Sequence, residues 1–198
     1  MLERRERFME AGFEVFGSIG LRKATVKMLC KSAGLTERYF YESFTDTEDL
    51  FCAVYNKQTE ALREFFVAEL PRLPAELSDR IPQVLSLFFD VMKDERVVRI
   101  LHVESMAGSA RVSQEHFKNL DLYADVAAYL IRMDNPNLNV SHDFARGLGI
   151  AINGACSALA VQWMIGGYKV PQQTVVDSCA LIVRGAMHEL RAFGAGQD

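Results

Sequence analysis

Between Arg22 and Arg38 the chain gathers Arg22, Lys23, Lys27, Lys31 and Arg38 against one carboxylate, Glu37. The local net charge is +4 on a chain of net charge −4, which leaves −8 elsewhere. Guanidinium and ammonium donors at this density suit phosphate oxygens, and arginine adds a planar fork that fits base edges. A solvated basic face is the plainer reading of the same residues. The acidic total excludes polyanion binding by composition alone, so any such contact must come from this cluster.

Other reactive groups give weaker patterns. His102 with Glu104, and His116 with Asp121, pair a base with an acid. Neither pair is accompanied by a Gly-rich phosphate loop, a nucleophile elbow, an HExxH motif or carboxylates spaced for two metals. The sequence therefore predicts no enzyme and no cofactor. Cys30, Cys52, Cys156 and Cys179 sit far apart on apolar stretches, with no CxxC pair or histidine at metal spacing, and read as buried thiols. No metal site is expected.

The stretch from Thr25 to Phe44 must position the cluster. Thr25 can cap a helix, Gly34 can supply a positive φ, and Thr36 can cap a second helix. Leu29, Cys30, Ala33, Leu35 and Phe40 then bury, leaving Glu37, Arg38, Tyr39, Tyr41 and Ser43 on or near the outside of the second helix. This is helix-turn-helix geometry. A helix over residues 3–17, buried on Phe8, Ala11, Gly12, Val15 and Phe16, precedes it and breaks at Gly20.

Beyond the turn, Asp46 or Thr47 caps a helix with Glu48 and Asp49 in its first turn, running to about Leu70. Pro71 and Pro74 end it. Ile81, Val84, Leu85, Phe88, Phe89 and Met92 mark an amphipathic helix over 77–95, followed by a shorter one near 96–106. A helix over 113–133 turns Phe117, Leu120, Tyr123, Ala124, Ala127, Leu130 and Ile131 inward. After the turn DNPNLN, Ser141 caps a helix over 142–165, and a last helix over 172–193 presents Val175, Val176, Cys179, Ile182, Val183, Ala186 and Leu190. The expected fold is all-α: a DNA-binding head over 1–47 and a ligand-binding and dimerisation bundle over 48–198. Apolar residues at 49% and charged residues at 24% suit a folded globular chain.

The uncharged run from Gly147 to Tyr168 is about as long as a membrane span. Its Gly147, Gly149, Asn153, Gly154, Ser157 and Gln162 favour close packing between helices instead. Ala151, Gly154, Ala155, Ala158, Cys179, Val183 and Ala186 are therefore expected at a homodimer interface, with filling of the monomer core as the alternative. The N-terminal residues alternate charged and apolar without a signal-like block, so a cytoplasmic protein without membrane attachment is expected. Aromatic and methionine volume in the middle helices predicts a largely apolar small-molecule effector, lined by Phe65, Phe88, Phe89, Met92, His102, Met106, Tyr123 and Trp163. Glu104, Asn119, Asn153 and Gln162 are further polar candidates.

Residues 1 to about 50 resemble the DNA-binding head of TetR-family (TetR/AcrR-type) transcriptional regulators. The matching residues are Phe16 and Gly20, Thr25, the run Ala33-Gly34-Leu35-Thr36, Phe40-Tyr41, Phe44 and Leu50. The resemblance implies phosphate contacts from Thr25, Tyr41 and the start of the fourth helix. It implies base contacts from Thr36, Glu37, Arg38 and Tyr39, with Glu37 either accepting from cytosine or orienting Arg38. The family often has His where Ser43 stands and Lys where Thr47 stands, so Lys23, Lys27 or Lys31 is expected to compensate. A two-fold dimer, a repressor reading a palindromic double-stranded operator and released by its effector, follows from the resemblance. Regulation by a protein partner is the alternative.

Overall fold

A computed structural model describes residues 2–134 and 140–195, excepting the side chains at 126, 129, 130, 133, 134 and 191–195. The expected turn through 135–139 and the inward placement of Leu130 lie outside the described residues. In chain order the helices are α1 (Leu2–Ile19), α2 (Val26–Ala33), α3 (Glu37–Ser43), α4 (Thr47–Glu69), α5 (Leu77–Val91), α6 (Glu95–Val98), α7 (Ser105–Ala107), α8 (Ala110–Asp134), α9 (His142–Ile165) and α10 (Gln172–Ala195). A π-helical segment, Arg99–Glu104, joins α6 to α7, and 3₁₀ turns occupy Leu21–Lys23 and Leu70–Arg72. The fold is all-α, with an N-terminal helix-turn-helix head and a C-terminal helical domain. Contacts gather the chain into two units: Met1–Ala68 with Asp94–Phe117, and Glu69–Lys93 with Lys118–Asp198.

The first unit is built on phenylalanines from three helices, α1, α3 and α4. Phe8, Phe16, Phe40 and Phe51 are fully buried. Phe8 meets Phe40 edge-on at 5.3 Å and Phe16 meets Phe51 at 5.4 Å, the offset geometry that ring quadrupoles prefer. Asp46 caps α4, its carboxylate accepting the Asp49 amide at 2.7 Å. The helix expected over 96–106 is divided by the π segment, a register that leaves no mark in apolar periodicity.

In the second unit α5 packs chiefly on α10. Pro82 stands inside α5, where it cannot donate to the Ser78 carbonyl. Arg184 of α10 donates to that oxygen instead, at 2.7 Å. Helix α5 ends at Val91, four residues short of the expected end at 95. Ser141 caps α9 as expected, accepting the Phe144 amide at 3.1 Å.

Three residues expected to line a ligand site fill this unit's core. Phe89 and Met92 are fully buried, and Trp163 is nearly so. Trp163 packs edge-on against Phe89 at 5.8 Å and Tyr168 at 4.9 Å, and donates its indole N–H to the Val170 carbonyl at 2.7 Å. Tyr168 has φ +57°, a costly conformation for a residue with a Cβ, and its hydroxyl anchors on the Met92 carbonyl at 3.2 Å.

Helices α9 and α10 bury only one side each. Ala145, Gly149, Cys156, Ala160 and Trp163 of α9 face inward, while Ala151, Gly154 and Ala158 are exposed. By length and composition alone α9 passes for a membrane span. On α10, Val175, Val176, Cys179, Ala180, Met187 and Leu190 are buried, but Ile182 points outward beside Leu181. Cys179 is no interface residue: it lies inside the unit against Cys156, a contact that together with burial pushes the Cys156 thiol up. Val183 packs partly on the cluster of Ile131, Met187 and Leu190.

Candidate nucleic-acid interface

The turn between α2 and α3 is a Schellman motif. Gly34 has φ +63°, its amide donates to the Lys31 carbonyl, and the Leu35 amide reaches the Cys30 carbonyl at 3.0 Å. Arg7 from α1 donates to the Ala33 carbonyl at 2.6 Å, so a further α2 C-terminal oxygen is satisfied. Thr25 caps α2 by accepting the Met28 amide at 3.3 Å. Thr36 occupies the N-cap position of α3 without a side-chain cap bond, and Leu35 is only half-buried.

With Phe40 and Phe44 buried, α3 turns its polar residues outward. Glu37 and Arg38 are exposed, Arg38 at 83%, and Tyr41 is 60% exposed with its ring edge-on to Phe40. Lys27 is exposed on α2, while Ser43 and Thr47 are half-buried at the end of α3 and the start of α4. Of the two roles expected for Glu37, that of orienting Arg38 falls to Glu42, which bonds Arg38 at 3.1 Å one turn along. Tyr39 is half-buried because the Arg4 guanidinium lies 3.9 Å above its ring.

Residues far along the sequence hold the head in place. Glu104, expected as a polar group toward a ligand, instead accepts the Leu21 amide at 2.8 Å. Arg96 bonds Glu14 at 2.6 Å and packs against Gly17. From the first turn of α8, Arg111 pairs with Asp49 at 2.9 Å and Asp46 at 3.2 Å, and the Ser109 hydroxyl donates to Glu48 at 2.7 Å. The sequence offered no local signal for these pairs, since charged residues at separations of 61 to 83 positions share no period.

The ligand candidates fall in both units. Met106 is 71% exposed, and Phe117, expected inward, is 60% exposed. Phe65 and His102 are partly buried in the first unit, as are Phe88 and Tyr123 in the second. Burial, reinforced by the neighbouring His116, holds the His102 imidazole down at about 4. The first unit has a groove of about 570 Å³ lined by residues including Arg7, Phe13, Ala33, Val54 and Lys57. The second unit has one of about 160 Å³ beside Ile81, Arg184 and Met187. None of the ligand candidates lines either groove.

Residues 8–54 match the family model described as bacterial regulatory proteins, tetR family. The head of the chain is therefore of the tetR type. Comparison with curated proteins gave no match. Among solved structures, the fold of this chain is similar to that of the fatty acid degradation regulator FadR from Bacillus halodurans, at a TM-score of 0.76 and 13% identity, covering 90% of this chain and 93% of that one. FadR from Bacillus subtilis, solved in complex with stearoyl-CoA, gives 0.76 and 15%, covering 89% and 96%. A tetR-family transcriptional regulator from Streptomyces coelicolor gives 0.71 and 16%, covering 100% and 84%.

Proposed function

We propose that this protein is a TetR-family regulator, a cytoplasmic repressor that binds a palindromic double-stranded DNA operator as a homodimer and is released by a largely apolar small molecule. The observation that carries the reading is the outward row on α3, where Glu37, Arg38 and Tyr41 project from a helix fixed by buried Phe40 and Phe44. The head over 1–47 reads DNA, and 48–198 binds effector and partner copy. Thr25, Lys27, Tyr41, Ser43 and Thr47 face phosphates, while Thr36, Glu37, Arg38 and Tyr39 face base edges.

A single head spans too few base pairs for selectivity, so two heads must act together. The exposed small residues Ala151, Gly154 and Ala158, with half-buried Ala155 and the exposed Leu181 and Ile182, suit a second copy. Such a partner also accounts for the uncovered apolar face of α9 without a membrane. The stearoyl-CoA held by the Bacillus subtilis FadR structure makes an acyl thioester the first effector class to try. Phe65, Phe88, His102 and Tyr123 are the residues to test for it.

Selection from random double-stranded DNA is the deciding experiment. Enrichment of near-palindromic sequences, lost on addition of a long-chain acyl thioester, is the expected result. Recovery of no preferred sequence would overturn the DNA-reading role, and retention with every acyl compound would overturn the effector class.

A further inference from the structure

Two consecutive arginines of α1 grip the recognition helix from behind. Arg5 donates to the Ser43 carbonyl at 2.8 Å and lies 4.2 Å over the Phe44 ring, holding the C-terminal end of α3. Arg4 lies over Tyr39 and also reaches the Glu42 carboxylate at 3.5 Å. The other oxygen of that carboxylate holds Arg38 at 3.1 Å. Glu42 is thus shared by two guanidinium groups, one on the DNA-facing side and one on α1.

We infer that Glu42 and Arg4 are positioning residues that set the sequence discrimination of Arg38; the inference rests on the DNA-reading role above. In the free protein Glu42 holds the Arg38 fork along the helix axis and limits its search for phosphates. An exposed pair one helical turn apart shifts an equilibrium only about twofold, whereas a bidentate contact to the right base is worth roughly 5- to 100-fold. Arg38 therefore leaves Glu42 readily for the correct base and poorly for a wrong one. Once it leaves, the carboxylate would face the phosphates uncompensated. Arg4 retains it, and the stack on Tyr39 fixes Arg4 where it can do so.

The test uses the full chain and the duplex recovered by selection, with substituted duplexes for comparison. Glu42→Gln is expected to raise affinity for duplexes with a wrong base at the Arg38 position about twofold, and for the selected duplex less, so that discrimination there falls. Arg4→Gln should weaken binding several-fold when Glu42 is present and much less in the Glu42→Gln background. Arg4→Lys should recover part of the loss, since it keeps the charge and gives up the planar stack. Thermal midpoints measured alongside separate these effects from loss of the fold.

An equal loss from Arg4→Gln in both backgrounds would make Arg4 a direct phosphate contact and overturn the inference. Unchanged discrimination in Glu42→Gln would overturn it as well. A wild-type chain that selects no duplex would remove the DNA-reading role and this inference together.

Discussion

The Glu104 carboxylate accepts the Leu21 amide at 2.8 Å across 83 residues of sequence, and it occupies the space beside Gly20 that a Cβ would need, 2.5 Å from its Oε1. Gly20 is required there twice over: φ is +83°, and a side chain would strike the carboxylate. The bond fixes the 3₁₀ turn that carries Arg22 and Lys23, two members of the basic cluster, to the last residue of the π segment.

Glu104→Ala should therefore lower stability by about 1–3 kcal/mol, the cost of leaving a partly buried amide without its acceptor. Glu104→Gln, which keeps an oxygen there, should lose less. Chemical denaturation of the three chains measures the order, and equal midpoints would show that water replaces the carboxylate without cost.

Glycine replacements should have opposite signs on α1 and α9. Alanine in place of an exposed helical glycine normally stabilises by about 0.5–1 kcal/mol. At Gly17 the new Cβ would lie 2.4 Å from the Arg96 Cβ and 3.0 Å from its Cα, so Gly17→Ala should destabilise. At Gly154 nothing stands within 4 Å, so Gly154→Ala should stabilise the isolated chain. Sedimentation of Gly154→Ala and Ala155→Glu then reads the proposed interface: charge at 155 should give monomers, and an intact dimer would move the contact elsewhere.

Acid should weaken the first unit before it reaches ordinary carboxylate pKa values. His102 is held at about 4 in the folded chain, below its ordinary 6.5, first by burial and then by His116. Its folded form is neutral, while the unfolded chain takes a proton between pH 6.5 and 4. The stability contributed is present above pH 6.5 and is lost as pH falls towards 4, by up to about 3 kcal/mol. Thermal melts across that range should show the loss, and His102→Gln should flatten it.

Removing Lys27 and removing Arg38 should be distinguishable in binding. Lys27→Ala should weaken all duplexes alike and make log affinity fall less steeply with log salt, by about one unit of slope. Arg38→Ala should chiefly relax preference at one or two positions, at about 1–3 kcal/mol each. Gel shifts at several salt concentrations, on the selected site and its single-base variants, separate the two.

The head was legible because its signals are local. Thr25 caps the residues that follow it, Gly34 takes the positive φ its turn demands, and Phe8 and Phe16 recur at helical spacing on α1 over a core shared with Phe40. Where contacts are long-range, sequence reading misplaced residues. Side-chain volume at Phe89, Met92 and Trp163 suits a core as well as a cavity, and the partner helix decides which. Glu104 looked like a pocket group because nothing near it in sequence points to Leu21. The inward face assigned to α8 included Phe117, which is turned out, because apolar periodicity marks a stripe without saying how far along the helix the stripe is covered.

The π segment has a consequence for chain length. Its hydrogen bonds close over five residues where an α-helix uses four, so Arg99–Glu104 holds one residue beyond the α-helical repeat. A π turn spreads its extra residue over a wider coil, so deleting that residue would let an ordinary helix form with its two ends still near their present phase. Glu104 could then still meet Leu21 while Arg96 keeps Glu14. The segment thus carries a spare residue, and a one-residue deletion inside it should spare the contact with the basic turn that removing the Glu104 carboxylate would break.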